Sequence, residues 1–240
     1  MIKEITSSEN KIVKEKAKLS KPAYRKETNT FKVDGFHMFE MARDSKQLVE
    51  LFTLKPIKDL DSSINQYIVN ERVLKTLATT MTPQGVVSIC KIREEQEIKS
   101  NKVLYLDGVS DPGNLGTILR TALAFGYTDV IVTENCCSVY NEKCLQATQG
   151  AIFNLNIVSN KNLEDLKKKG YKILATEIKG SVSLKKVQKF DKFVLVLGNE
   201  AHGVRDEVLK LADERIRIDI ENIESLNVAI AGAIAMYTLG

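Results

Sequence analysis

The chain has 240 residues, of which 43% are hydrophobic and 28% charged, with no tryptophan. That balance excludes disordered, collagenous and membrane-spanning classes, and the length allows one large or two modest domains, each able to bury a core. Lys and Arg exceed Asp and Glu by 35 to 31, a formal +4, and the surplus is local: residues 1–30 carry eight basic and four acidic side chains, whereas the chain from Asn101 onward balances at 17 against 17. A basic segment ahead of a neutral body reads as a handle for a polyanion or as a solvated first helix.

The opening residues lack the apolar core and small-residue cleavage site of a secretory signal. The four cysteines, at 90, 136, 137 and 144, have neither disulfide-framework density nor metal-ligand spacing. A cytoplasmic, metal-free protein is expected. From Thr30 to Ile92 a small α/β unit is predicted. It has strands at Phe31–Val33, Tyr67–Val69 and Val86–Cys90, a helical pattern through Met38–Leu51 and a helix near Val73–Ala78. The highly charged stretch Lys91–Asn101 follows the turn at Thr82–Gly85 and is placed as a linker, giving an N-terminal domain at 1–98 and a C-terminal one at 99–240.

Beyond Asn101, apolar runs recur at Val103–Leu106, Val130–Val132, Ile152–Leu155, Lys172–Ala175 and Phe193–Leu197, alternating with helical stretches. Continuous runs without period-two alternation are the mark of strands covered on both faces, so a parallel sheet flanked by helices is expected. Ligands of such sheets bind at the carboxyl ends of the strands. Three loops there carry polar and glycine residues. The first, Leu106–Gly126, turns through Asp111, Pro112 and Gly113 into a helix whose apolar face is Leu115, Ile118, Leu119, Ala122 and Leu123; Asn114 is read as its cap, and Arg120 points off the stripe toward solvent or ligand. The second, Phe193–Val204, breaks from a strand into Gly198, Asn199, Glu200 and Gly203. The third, Ile216–Tyr237, passes through Ser225, Leu226 and Asn227 into an almost wholly apolar helix. Such a helix must be covered on all sides, by the core or by a second subunit. The run Leu226–Leu239 is shorter than the ~20 residues a bilayer requires.

Taken in order, Asn114, Gly116 and Arg120, then Gly198, Glu200 and Gly203, then Ser225–Val228, resemble the three signature motifs of the SpoU (TrmH-like) branch of the SPOUT superfamily. The likeness covers Asn101–Gly240 closely; the first hundred residues more loosely resemble a small ribosomal-protein-like α/β RNA-binding domain. One departure is Asp219, where the family usually has proline. The resemblance implies a trefoil-knotted domain using S-adenosylmethionine to methylate a ribose 2′-hydroxyl of RNA, ribosomal RNA ahead of transfer RNA, in a homodimer joined through the C-terminal domain. It implies cofactor contacts at Thr176, Gly180, Leu197, Gly198, Ile218, Ile220 and Leu226, and a reaction site of Asn114, Arg120, Glu200, Ser225 and Asn227.

A guanidinium with pKa above ~12 is a poor base, so Arg120 is expected to grip a phosphate and stabilise alkoxide charge, with Glu200 or that phosphate helping to remove the proton. Two other readings compete. Gly108, Gly113 and Gly116 do not reproduce the Gly-x-Gly-x-x-Gly of a dinucleotide-dependent oxidoreductase, and a non-catalytic RNA-binding assembly factor need not keep every matched polar position. His202, alone in a polar loop, is read as solvated, and Lys167–Lys169 as the basic end of a helix before Gly170.

Overall fold

The computed structural model describes residues 2–80 and 82–240. Its contacts divide the chain into two compact units, one running to Glu94 and including Tyr140–Phe153, the other made of Glu95–Val139 and Asn154–Gly240. These units do not correspond to one cut at 98/99. The charged stretch is not a free linker either: the Gln96 N–H donates to Asn156 Oδ1 at 2.9 Å, and the N–H groups of Lys99 and Ser100 donate to Asp129 Oδ2 at 3.1 and 2.8 Å.

The first unit begins with β1 (Ile2–Ile5), α1 (Lys11–Ala17), α2 (Pro22–Thr28), β2 (Thr30–Asp34) and α3 (Phe36–Asp44). It continues through β3 (Leu48–Thr53), β4 (Asn65–Val69), α4 (Glu71–Leu77) and β5 (Val86–Lys91). Its sheet has the order β1-β4-β3-β5-β2, with β5 antiparallel to both neighbours. The helical pattern expected through Met38–Leu51 covers two elements. Lys46 at φ +60° ends the helix, and Leu48–Thr53 is a strand whose Leu51 and Phe52 are fully buried. Apolar residues in that segment satisfy helical and alternating spacing alike, so sheet pairing decided the outcome.

The second unit opens with β6 (Lys102–Asp107), α5 (Pro112–Ala124) and β7 (Asp129–Val132); the chain then adds α6 (Glu142–Thr148) to the first unit. It resumes with β8 (Asn156–Ser159), α7 (Leu163–Lys168), β9 (Lys172–Thr176), β10 (Val182–Ser183), β11 (Phe193–Gly198), α8 (Asp206–Leu209), β12 (Glu214–Arg217) and α9 (Val228–Leu239). All seven strands are parallel, in the order β10-β12-β9-β11-β6-β7-β8. Val103, Ile131, Ile173, Val194 and Val196 form one core with Leu163, Leu166, Val208 and Leu209. Leu104, Leu106 and Leu195, alternating with these, are equally buried, as the unbroken apolar runs require. The expected strand Ile152–Leu155 is displaced. Ala151–Phe153 is a 3-10 turn of the first unit, where Phe153 stacks 5.8 Å from Phe31, and pairing with β7 starts only at Asn156. A short apolar run signals burial, which a core-facing turn satisfies as well as a strand. The lysine run does end α7, with Gly170 at φ +86° beyond it. Among the described residues no helix is long and apolar enough to cross a membrane.

Candidate active site

β9, β11 and β12 are neighbours, so Thr176, Leu197 and Gly198 lie at one end of the sheet, with Ile218 just beyond the end of β12. The loop after β6 starts at Gly108, which has φ +83° and lies against Asn135 and Asn199. Asp111, not Asn114, caps α5: its carboxylate accepts the Asn114 N–H at 2.8 Å, and Pro112 occupies the first helical position. Proline is preorganised for that position, so the helix starts three residues earlier than a cap at Asn114 would place it. Asn114 is thereby released for tertiary contacts. Arg120 is exposed, off the apolar stripe as predicted, and among the described residues makes no hydrogen bond or ion pair.

Loop two is closed on itself. Asn199 and Gly203 exchange main-chain hydrogen bonds of 2.9 Å, and Asn199 Oδ1 accepts the Ala201 and His202 N–H groups at 2.9 and 3.1 Å. Asn199 Nδ2 also donates to the Gly108 carbonyl at 2.7 Å, tying this loop to the first. Glu200 is then presented to the start of α5. Its Oε2 accepts the Ser110 N–H and Oγ–H at 3.1 and 2.9 Å, and its Oε1 accepts the Asp111 N–H and Asn114 Nδ2–H, both at 3.1 Å. Asn114 Oδ1 in turn accepts from Asn227 Nδ2 at 2.9 Å, while Asn227 Oδ1 caps α9 through the Ala229 and Ile230 N–H groups. One hydrogen-bonded run, Asn227–Asn114–Glu200–Ser110/Asp111, therefore joins all three loops. Ser225 is exposed and bonds to no other described residue. Arg120 stands outside the run.

Burial raises the Glu200 pKa, but the hydrogen bonds from Asn114, Ser110 and Asp111 outweigh it and hold the carboxyl at about 2. A carboxylate that acidic and that fully occupied is a poor proton acceptor. Such a carboxylate is better suited to positioning than to taking the proton. Its folded pKa lies below the ordinary 4.5, so the stabilisation it gives is complete above about 4.5 and is lost as pH falls from there to about 2. Between pH 6 and 9 it does not titrate. Glu200→Gln is therefore expected to lower kcat about tenfold, the ~1.4 kcal/mol of one net hydrogen bond, without moving any inflection of the pH–rate profile. A shifted or missing inflection in steady-state kinetics would restore Glu200 as base.

Spacing did not reveal Ser110, Asp111, Asn199 or the pair formed by Asp107 and Arg205. The Asp107 side chain is 0% exposed and accepts the Arg205 N–H at 2.9 Å and Nε–H at 2.7 Å, locking the end of β6 to the segment after loop two. His202 is exposed. Burial pushes the Cys137 thiol up to about 11, so it is no ready nucleophile.

Of the residues expected around a cofactor, Thr176, Leu197 and Gly198 lie at the ends of neighbouring strands. The Thr176 hydroxyl donates to the Val196 carbonyl at 3.0 Å across β9 and β11. Ile218, Ile220 and Leu226 are half-buried, and the peptide groups of residues 220–226 take no main-chain partner among the described residues. At Gly180 and Gly203, where a Cβ would stand, there is open space. Apolar edges beside unpaired peptide groups suit an adenosine-bearing ligand held largely through main-chain atoms. Asp219, in the place of the usual proline, accepts the Ser183 hydroxyl and pairs with Arg217 Nε at 3.4 Å, so side-chain bonds hold the backbone there. Asp219→Ala should weaken S-adenosylhomocysteine binding about tenfold by calorimetry, the loss of about one hydrogen bond to a charged group.

Residues 101–237 match the SpoU rRNA Methylase family, and residues 10–88 match the MRM3-like substrate binding domain. The chain is 34% identical to the 23S rRNA (guanosine(2553)-2′-O)-methyltransferase RlmP of Bacillus subtilis, over 99% of each chain. The rRNA methyltransferase of Sinorhizobium meliloti superposes with a TM-score of 0.87 at 29% identity, covering 99% of this chain and 97% of that one. Its AdoMet-bound form matches with the same figures. Fold and site together define an S-adenosylmethionine-dependent RNA methyltransferase, built on a SPOUT-type parallel sheet and preceded by a substrate-binding domain. The chain belongs to the SpoU rRNA methylase family.

Proposed function

We propose that this protein transfers a methyl group to a ribose 2′-hydroxyl of large-subunit ribosomal RNA, in the cytoplasm, as a homodimer with a trefoil-knotted C-terminal domain. The observation that carries this reading is the run from Asn227 through Asn114 to Glu200, which converts three distant loops into one rigid frame beside the strand ends. Bound there, S-adenosylmethionine supplies a methyl group on a sulfonium. The chain's own work is alignment, and holding reactants in attack geometry can lower a barrier by ~7–11 kcal/mol. Asn114, Glu200 and Asn227 set the positions of the loops. Ser225 Oγ, without a partner among the described residues, is available to the ribose hydroxyl. Arg120 pairs with the adjoining phosphate and stabilises negative charge as the hydroxyl proton leaves to solvent.

The homodimer is supported by α9. Ile230, Ile234 and Tyr237 are exposed along it, with the Phe125 and Tyr237 rings 5.7 Å apart. An apolar stripe of that kind on a terminal helix suits an isologous interface. Arg120, which makes no bond to its own chain's polar run among the described residues, would then complete the partner's site.

Incubation with labelled S-adenosylmethionine and either 23S rRNA or bulk tRNA tests the reading. Label should enter 23S rRNA and survive alkaline hydrolysis as a protected dinucleotide; label in tRNA alone, or on a base, would overturn it. Sedimentation should give the mass of two chains.

A further inference from the structure

On the side of loop one, the methyl-transfer frame rests on a turn that none of the three motifs contains. β6 and β7 pair from Val103 opposite Asp129 to Leu106 opposite Val132, and the Thr133 N–H then donates to the Leu106 carbonyl at 3.2 Å. In a parallel ladder the Thr133 carbonyl would next accept the Gly108 N–H. Instead that carbonyl closes a tight turn by accepting the Cys136 N–H at 3.0 Å. The Gly108 N–H is buried where a φ of +83° takes the chain out of the strand, and a buried donor requires an acceptor. Thr133, 6% exposed, supplies one from its side chain, with Oγ1 accepting at 3.1 Å.

The Thr133 oxygen is itself held in orientation. Its hydroxyl hydrogen is left for Cys136 Sγ, 3.6 Å away, and the single proton of that thiol goes to the Leu106 carbonyl at 3.3 Å. Each proton in this short chain has one destination, so a lone pair of Oγ1 is kept toward Gly108. The same turn grips the next residue, the Cys137 N–H donating to the Val109 carbonyl at 3.0 Å. Gly108 is thus clamped on both of its polar groups, the N–H by Thr133 and the carbonyl by Asn199 Nδ2 at 2.7 Å. Directly after Val109 come Ser110 and Asp111, whose N–H groups Glu200 accepts.

We propose that Thr133 is a positioning residue for methyl transfer: by holding the Gly108 N–H it fixes the main chain that delivers Ser110, Asp111 and the start of α5 to Glu200. It acts through loop one and not on the substrate. A shift of about 1 Å in groups that align reactants can cost on the order of 10²-fold in rate, so one buried hydrogen bond at the root of the loop reaches the chemistry. Thr133 lies 25 positions beyond Gly108, outside every motif. The inference rests on the reading of that frame as the methyl-transfer site and deepens it.

The test uses the full chain and 23S rRNA transcribed in vitro. Thr133→Val keeps the shape of the side chain and leaves the Gly108 N–H buried without an acceptor. Its single-turnover rate at saturating RNA should fall about tenfold, while KM for RNA and Kd for S-adenosylhomocysteine stay within about twofold, the split expected when alignment rather than uniform binding is lost. Thr133→Ser, which restores the oxygen, should recover most of the rate. Ile173→Val takes a methyl from the core of the same unit and should lower Tm while keeping the wild-type rate well below Tm. Calorimetric stoichiometry with S-adenosylhomocysteine normalises every rate to folded enzyme. A wild-type rate in Thr133→Val, or a serine variant as slow as the valine one, overturns the role of Thr133 and leaves the methyl-transfer reading standing. A raised KM at an unchanged rate overturns positioning in favour of RNA binding, and an equal loss of rate in Ile173→Val reduces the effect to stability. A wild type that methylates no RNA overturns the underlying reading and this inference with it.

Discussion

Arg120→Ala is expected to lower kcat for methyl transfer by about 10²–10³-fold, the range for removing a group that stabilises developing charge. Affinity for S-adenosylhomocysteine should be unchanged, because among the described residues Arg120 makes no hydrogen bond or ion pair to the loops at the ends of β9, β11 and β12. The folded state should not notice the change either: an exposed side chain without partners costs within about 0.5 kcal/mol on removal. Arg120→Lys should recover only part of the rate, since an ammonium keeps the charge but loses the two-pronged grip on phosphate. Single-turnover kinetics with saturating RNA and calorimetry on the same preparations decide the matter. Equal loss of turnover and of cofactor binding would place Arg120 in the cofactor pocket instead.

Gly198→Ala should be the most damaging single methyl in the molecule. A Cβ there would stand 2.2 Å from Gly203 C and 2.3 Å from Val204 N, and both neighbours are main chain, held by the paired hydrogen bonds between Asn199 and Gly203. Nothing can rotate out of the way. Overpacking of this kind costs ~1–3 kcal/mol or more. At ~2–4 °C per kcal/mol for a chain of this size, Tm should fall on the order of 5–10 °C. Opening loop two also breaks the Glu200 contacts to Ser110, Asp111 and Asn114, so S-adenosylhomocysteine affinity should drop about a hundredfold. Gly203→Ala is the control, because it has open space but φ +70°. It should pay only the cost of the left-handed backbone, ~1–2 kcal/mol. Thermal denaturation of the two variants side by side distinguishes collision from strain, and equal losses would remove the collision argument.

Much of the site could be read in the sequence because its parts are local. The apolar runs at Val103–Leu106 and Phe193–Leu197 fall within β6 and β11, since a strand covered on both faces has no polar position to conceal. Arg120 was placed outside the core by the 3.6-residue period alone. The glycines of loop two were legible because only a residue without Cβ fits such a turn. By contrast, the cap of α5 was misassigned: Asp111 and Asn114 are both good capping residues, and the choice turned on Pro112.

The hydrogen-bond partners and acidity of Glu200 could not be read at all. Its donors lie 86 to 90 positions away along the chain, and its acidity is the sum of their hydrogen bonds against burial. The same is true of Asp107 with Arg205, 98 positions apart, and of Tyr140–Phe153, which leaves the second unit to pack in the first. Residue type and spacing thus determined which loops carry chemistry, where the sheet lies and which arginine is exposed, because periodicity and steric permission act over a few residues. Only the tertiary structure decided what each polar side chain does, because hydrogen bonds and pKa values depend on which groups folding brings within three ångströms of one another, and this the order of residues does not record.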